Sequence, residues 1–383
     1  MTVYPLTGVI RPYAWGSRTA IATLQGRPPA EGPEAELWLG AHPDDPSTVP
    51  TPDGQIELTK LIADDPRGQL GDAVTEAFGA RLPYLMKVLA AGAPLSLQAH
   101  PDADYAREAF ARQQADPALP KNYTDAHHKP EMLVALTDFE ALCGFRHPSA
   151  AADDLLALRI TRLQPVIDAL RAGDLSAAVR LLLTWPADDR AALVDEVVAA
   201  GTSELAVRLA GHYPGDPGVL VALLLNLVRL APGEAIWMPA GNLHAYLNGL
   251  GVELMAASDN VLRGGLTPKR VDVDELLRVL RFEVLEDPLL HPASSDGVVT
   301  SWRVPVPDFE MSRVALSPSR PPVRLPGGGA RVILGVAGEV QVGEGHGVPV
   351  TLLPGTAAYA PASAGDLTAA GVGEIFVASV PLS

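Results

Sequence analysis

The chain has 383 residues, and 29 Lys+Arg against 45 Asp+Glu give a formal net charge of −16, a balance that disfavours non-specific binding to nucleic acid or anionic membrane surfaces. Hydrophobic residues at 48% and charged residues at 19% supply a sizeable core and exclude global disorder. A single cysteine, Cys143, excludes an intrachain disulfide framework and a cysteine-rich zinc site.

In chain order, residues 1–100 are rich in Pro, Gly, Trp and short apolar runs, which predicts strands and turns. Asp102 is an expected N-cap for a helix through Gln114. Between 150 and 230, Leu155, Leu158, Leu163, Ile167 and Leu170 recur at helical spacing, with Gly173 as a stop. Leu175 to Leu183 predicts a second helix, Leu193 to Val198 a third closed by Gly201, and Leu220 to Leu227 a fourth. Beyond Ala231 turns and strands return, with one more helix over Val273–Arg281, and residues 298–383 read as all-β. Pro232–Ala240 also echoes Pro354–Ala362, each a Pro-Gly turn, a short strand with an aromatic and a Pro-Ala turn. The echo predicts two related antiparallel barrels, or jelly rolls. Its first copy continues to His244 and its second to Asp366, so one barrel alone is equipped for chemistry. The longest apolar run, Val219–Leu230, contains Asn226 and Arg229 and falls short of the roughly 20 residues of a membrane span. The opening MTVYPLTGVI lacks the pattern of a signal peptide. The expectation is a soluble cytoplasmic protein with no nucleic-acid or membrane partner.

Polar groups collect in four segments. Gln98 and His100 are two apart after an apolar run, so on a strand they share a face. Glu131 closes His127-His128-Lys129-Pro130-Glu131, and His244 follows the turn 239–242. One amide oxygen, two imidazoles and one carboxylate form a four-ligand set for a divalent metal such as zinc; spacing leaves His127 with His128 as a competing pair. Arg263 beside Gly264 and Gly265, after Ser258-Asp259-Asn260 and before Lys269, suits an approaching anion. Lys87 lies inside an apolar strand, pointing into a polar cavity or marking an exposed face. Lys87, Arg263 and Lys269 form a candidate anion-binding set. Tyr246 shares the strand face of His244, whereas Trp38 and Trp237 read as core.

The stretches RPYAWGS (11–17), ELWLGAHPDDPS (36–47), LPYLMKVLAAGAPLSLQAHPD (82–102), NYTDAHHKPEMLVALTDFEALCGFR (122–146) and PAGNLHAYLNGLGVELMAASDNVLRGGLTPK (239–269) together resemble the type I mannose-6-phosphate isomerase family. The resemblance covers most of residues 4–285 and is loose past about 290; position 127 is His where the family often has Asn. It implies a mainly β fold with an α insertion: two cupin-type jelly-roll barrels plus an embedded helical domain. The expected division is 1–149 with 231–290 as catalytic barrel, 150–230 as inserted helical domain and 291–383 as non-catalytic jelly roll. It implies a zinc-dependent aldose–ketose isomerase acting on a small sugar phosphate, mannose 6-phosphate with fructose 6-phosphate, through a cis-enediol. The family's zinc ligands fall on Gln98, His100, Glu131 and His244, for one zinc ion per chain, and its catalytic arginine on Arg263. Substrate positions fall on Trp15, Lys87, Ser96, Lys129, Tyr246, Glu253 and Asp259. The general base stays open among Lys129, His128, Glu253 and a metal-bound water. A monomer is the working expectation.

Overall fold

The computed structural model describes residues 3–345 and 347–381. The fold is mainly β with helices, arranged as a 10-stranded sheet, a 9-stranded sheet and a short two-stranded one. The long strand His244–Ala256 organises the first sheet. Its first half pairs with Phe139–Phe145 and with Gln98; its second half pairs with Tyr84–Ala91 and Glu131–Ala135. Val9–Arg11 and Glu36–Gly40 extend one side, and Leu225–Leu230 lies at the other edge. Almost every residue of these central strands is buried, which fits their continuous apolar runs.

Two strands fall outside the expected division. Tyr4–Leu6 pairs with Ala357–Ala360, so the start of the chain belongs to the second sheet. Leu225–Leu230 is a strand of the first sheet, and the helix expected over Leu220–Leu227 is only Gly218–Ala222. Arg229 is exposed there, and half-buried Asn226 donates from Nδ2 to the carbonyl of Leu285 at 2.9 Å. A short leucine run carries helix and strand signals alike, and pairing with Phe139–Phe145 decides it.

The six helices from Pro148 to Ala222 share one apolar cluster that also takes in Val273–Val279. Their ends follow ordinary capping chemistry. Asp174 Oδ1 accepts from Ala177 N–H at 2.8 Å, Ser203 Oγ accepts from Ala206 N–H at 3.2 Å, and Gly201 closes its helix at φ 66°. Asp102 caps Ala103–Ala115 as expected, accepting from Tyr105 N–H at 2.9 Å. The β-rich region of residues 1–100 also contains helices the reading did not foresee, Ala20–Leu24, Leu58–Asp64, Pro66–Leu70 and Asp72–Phe78. Leu58, Ile62, Leu70 and Val74 from these helices join a core shared by both large sheets.

The echo is realised in strands. Ala235–Met238 and Ala357–Ala360 are aligned at one offset, each after a glycine at positive φ, Gly233 at 90° and Gly355 at 75°. Met238 faces Glu131 in the first sheet; Ala360 faces Arg331 in the second. Arg331 is buried and donates to the carbonyls of Leu325, Pro326 and Gly365. Asp366, the echo of His244, accepts from Arg324 and from Gly327 N–H. At the corresponding places the second sheet thus carries an arginine tied to backbone carbonyls and an aspartate tied to Arg324 and a backbone N–H.

Candidate active site

Strand register builds the site. His244 sits opposite Gln98 and Cys143, and Gln98 also faces Arg263. Farther along the same strand, Met255 faces Glu131 and Glu253 faces Lys87, which in turn faces Trp38. His100 follows the short strand Leu97–Ala99.

His100, Glu131 and His244 are all buried, and one potential ligand atom from each lies within 4.8 Å of the others. Glu131 Oε1 is 3.4 Å from His100 Nε2, and its Oε2 is 3.2 Å from His244 Nε2. The other ring nitrogens are engaged by backbone: His100 Nδ1 donates to Asn260 O at 2.6 Å and His244 Nδ1 to Asn242 O at 3.0 Å. That tautomer leaves both Nε2 lone pairs facing the carboxylate, as when a carbonyl takes the other ring proton of a metal-binding histidine. His100 Nε2 is buried without a hydrogen-bond partner, and a divalent cation would satisfy it. Burial pushes His100 down to about 4 against the pull of Glu131, so its ring is neutral and able to ligate near pH 7. Burial would raise Glu131, but Lys129 at 3.0 Å and the two imidazoles overcome it and hold the carboxyl well below its ordinary range. The residues fit a metal ion.

Glu131 and Gln98 open on a cavity of about 680 Å³. Its wall carries Trp15, Lys87, Ser96, Lys129, Tyr246, Glu253, Asp259, Arg263 and Lys269, so these expected substrate-site positions are brought together. His128 is not: its Nε2 lies 2.9 Å from Asp308 Oδ2, outside the cavity lining. Its expected role as a base beside Glu131 is corrected accordingly. The competing pair of His127 with His128 is likewise not brought to the cluster. The glycines after Arg263 serve the fold: a Cβ on Gly265 would meet the Gly218 Cα at 2.5 Å, and one on Gly264 would press Leu243. Ser258 and Asn260 also serve the scaffold, binding the 125–127 loop.

One wall is a buried chain of charges. Lys87 Nζ lies 3.4 Å from Glu253 Oε2 and 3.5 Å from Glu36 Oε2, and 5.0 Å from the centroid of the Trp38 ring. Trp38 Nε1–H donates to Glu36 Oε2 at 2.6 Å, and Tyr246 O–H donates to Glu253 Oε1 at 2.7 Å. Burial pushes Glu253 up to about 7; Lys87 pulls it down while Glu131 and Glu36 push it up. Burial acts to lower Lys87, but Glu36 and Glu253 overcome it and raise it above its ordinary value. Sequence reasoning missed Glu36 and the cavity roles of Trp38, Arg11, His212 and Tyr213. The first two stood in the ELWLG stretch, where alternation on a strand put them on one face.

Two other features hold no comparable chemistry. A larger cavity of about 830 Å³ lies between the helices and the strand Leu225–Leu230, but its Arg146, Arg208 and Arg229 are paired with Asp154 and Glu140. His42, Asp44 and Asp259 also cluster. There, His42 Nδ1 accepts from Asp44 N–H at 3.3 Å, which puts the ring proton on Nε2, toward Asp259 at 3.3 Å. That ring has no lone pair left for a metal.

A His–Glu–His cluster opening on a cavity of acids, lysines and an arginine is the build of a metal-assisted enzyme for a small polar substrate. Comparison with known proteins makes the class specific. Residues 3–148 match the model of the phosphomannose isomerase type I catalytic domain. The mannose-6-phosphate isomerase of Escherichia coli is 36% identical over 97% of each chain. A solved mutant of phosphomannose isomerase from Salmonella typhimurium is 34% identical, covers both chains fully and superposes with a TM-score of 0.90. A mannose 6-phosphate isomerase solved with zinc and yttrium is 33% identical, with full coverage and a TM-score of 0.89. The chain belongs to the type I phosphomannose isomerase family and is an isomerase. Among the described residues no helix is long and apolar enough to cross a membrane.

Proposed function

We propose that the chain is a zinc-dependent aldose–ketose isomerase interconverting mannose 6-phosphate and fructose 6-phosphate through a cis-enediol, acting as a cytoplasmic monomer with one zinc. In this reading both large sheets are cupin-type jelly rolls, and 148–222 is a helical domain set into the first. The observation that carries it is the inward convergence of His100 and His244 on Glu131, with His100 Nε2 buried and unpartnered. Gln98, beside His244 in the ladder, is the fourth ligand.

When bound, zinc supplies a Lewis acid that polarises the sugar oxygens and favours the enediolate. The chain's own groups do the rest. Ser96 and Lys269 hold the phosphate and so place the open-chain carbons, an interaction by which remote binding energy positions the reacting centre. Glu253 is the base: it takes the proton from C2 of the aldose and returns it to C1, while a hydroxyl proton passes from O2 to O1. Its pKa near 7 matches the value at which a general base works best at neutral pH. Tyr246 fixes one of its oxygens. Arg263 stabilises the developing oxyanion, since a guanidinium stays charged at working pH. Lys129 holds the ligand Glu131 ionised.

The test is an isomerase assay on mannose 6-phosphate, following fructose 6-phosphate, with chelator-treated and zinc-restored protein. Activity abolished by chelation and restored by zinc, with unphosphorylated mannose far poorer in kcat/KM, is expected. Full activity without metal, or equal kcat/KM for both sugars, refutes the reading.

A further inference from the structure

The buried Trp38–Glu36–Lys87–Glu253 chain has a residue to spare. If Lys87 existed only to neutralise Glu253, one carboxylate would suffice, and Glu253 would be spent in an ion pair. Instead Lys87 Nζ is shared, at 3.5 Å from Glu36 and 3.4 Å from Glu253. Glu36, Lys87 and Glu253 are all buried, and so is Trp38. Two carboxylates for one ammonium in such a place is costly, because buried charges need full pairing. The arrangement is set by the sheet: Trp38, Lys87 and Glu253 stand abreast on three adjacent strands, and Glu36 shares the face of Trp38 two residues away. The Trp38 N–H, at 2.6 Å from Glu36 Oε2, fixes the oxygen that also faces Lys87.

We propose that Glu36 and Trp38 are positioning residues that divide the charge of Lys87 between two carboxylates and thereby keep Glu253 free to carry the substrate proton. The inference rests on the reading of Glu253 as base. Glu36 acts through Lys87, drawing its charge away from Glu253. Trp38 limits that draw by occupying the same Glu36 oxygen. The other groups acting on Glu253 are Lys129 and Glu131 from the neighbouring strand and its approach, and Tyr246 on its own strand. Lys129 and Glu131 are paired with each other at 3.0 Å, so changes at Glu36 leave them in place.

The directions follow from electrostatics. Removing the Glu36 charge takes away a like charge and gives Lys87 wholly to Glu253, and both effects lower the Glu253 pKa. The pH profile of kcat/KM for the zinc-loaded full-length enzyme reads this directly, since its acid limb reports deprotonation of the base. Glu36→Gln moves the acid limb down by about one unit or more. It also lowers the plateau kcat by about three- to tenfold, because the base is weaker. KM stays within about twofold, because the Glu36 carboxylate is taken up by Lys87 and the Trp38 N–H. Trp38→Phe keeps the ring under Lys87 but loses the N–H; Glu36 then takes more of Lys87, and the limb moves up. Glu36→Asp, with its carboxylate withdrawn by one methylene, gives a smaller downward shift and serves if Glu36→Gln does not fold. An unmoved acid limb in the Glu36 variants, or a raised KM with kcat and the limb intact, overturns the inference. Glu253→Gln separates the two levels. Loss of the acid limb in Glu253→Gln with no shift in Glu36→Gln leaves the base assignment standing and removes this inference; persistence of the limb in Glu253→Gln removes the base assignment and the inference with it.

Discussion

Asn260 offers a sharp test of how the candidate metal site is held. It is fully buried, and its side chain makes three bonds of 2.8 Å: Nδ2 donates to Asp125 O and His127 O, and Oδ1 accepts from Thr124 N–H. Its backbone carbonyl accepts from His100 Nδ1 at 2.6 Å. Asn260→Ala removes the three side-chain bonds and strands their backbone partners. At about 1 kcal/mol each, with the added cost of buried groups left unpaired, the loss is about 3–4 kcal/mol. The freed segment also lets the Asn260 carbonyl drift from His100, and losing a partner that orients a ligating imidazole weakens metal binding by about 10–100-fold. Denaturant unfolding of the metal-free protein reads the first effect, and competition with a zinc chelator reads the second. A stability loss of the expected size with zinc affinity unchanged would refute the coupling and reduce Asn260 to a loop tie.

Arg263→Ala should lower kcat by about 10²–10³-fold, the effect of removing one preorganised donor, with KM moving much less and zinc content, read by elemental analysis, unchanged. Asp366→Ala should leave turnover within about twofold, because its partners are Arg324 and Gly327 in the second sheet; a large loss in a folded variant would bring that sheet into the chemistry. Tyr84 donates its buried hydroxyl to the carbonyls of Ala330 and Ala378, both on the second sheet's side of the shared core. Tyr84→Phe should therefore cost about 1–2 kcal/mol in unfolding free energy, and a change below the precision of a denaturant titration would show that this contact does not join the sheets.

What could be read in the residues was whatever depends on local chemistry. Strand alternation put Gln98 beside His100, and a lysine in an apolar strand flagged Lys87 before its partners were known. What escaped depends on distant parts of the chain. The carbonyls of Asn242 and Asn260 orient the two imidazoles, and a backbone oxygen has no letter in a sequence. His128 is drawn off by Asp308, 180 positions away. Gly264 and Gly265 suggested room for a ligand, whereas Gly265 makes room for the helix that starts at Gly218. The leucines of 220–230 could not declare helix or strand until the edge of a sheet claimed them.

The pairing of Tyr4–Leu6 with Ala357–Ala360 sets a condition on how the molecule is made. Tyr4 and Tyr359 face each other across the ladder, so this strand finds its neighbour 355 positions farther along the chain. Such distant closure is slow to reach. Until residues 357–378 are made, the apolar face formed by Leu37, Met86 and Val88 lacks the part of its shared core that Tyr359 and Phe376 supply. A copy cut short before residue 357 would keep every zinc-ligand candidate and still lack part of the core that the two large sheets share. The second sheet thus reports on its own synthesis: the first sheet's apolar face gains the whole of its shared core only once Phe376 has been made.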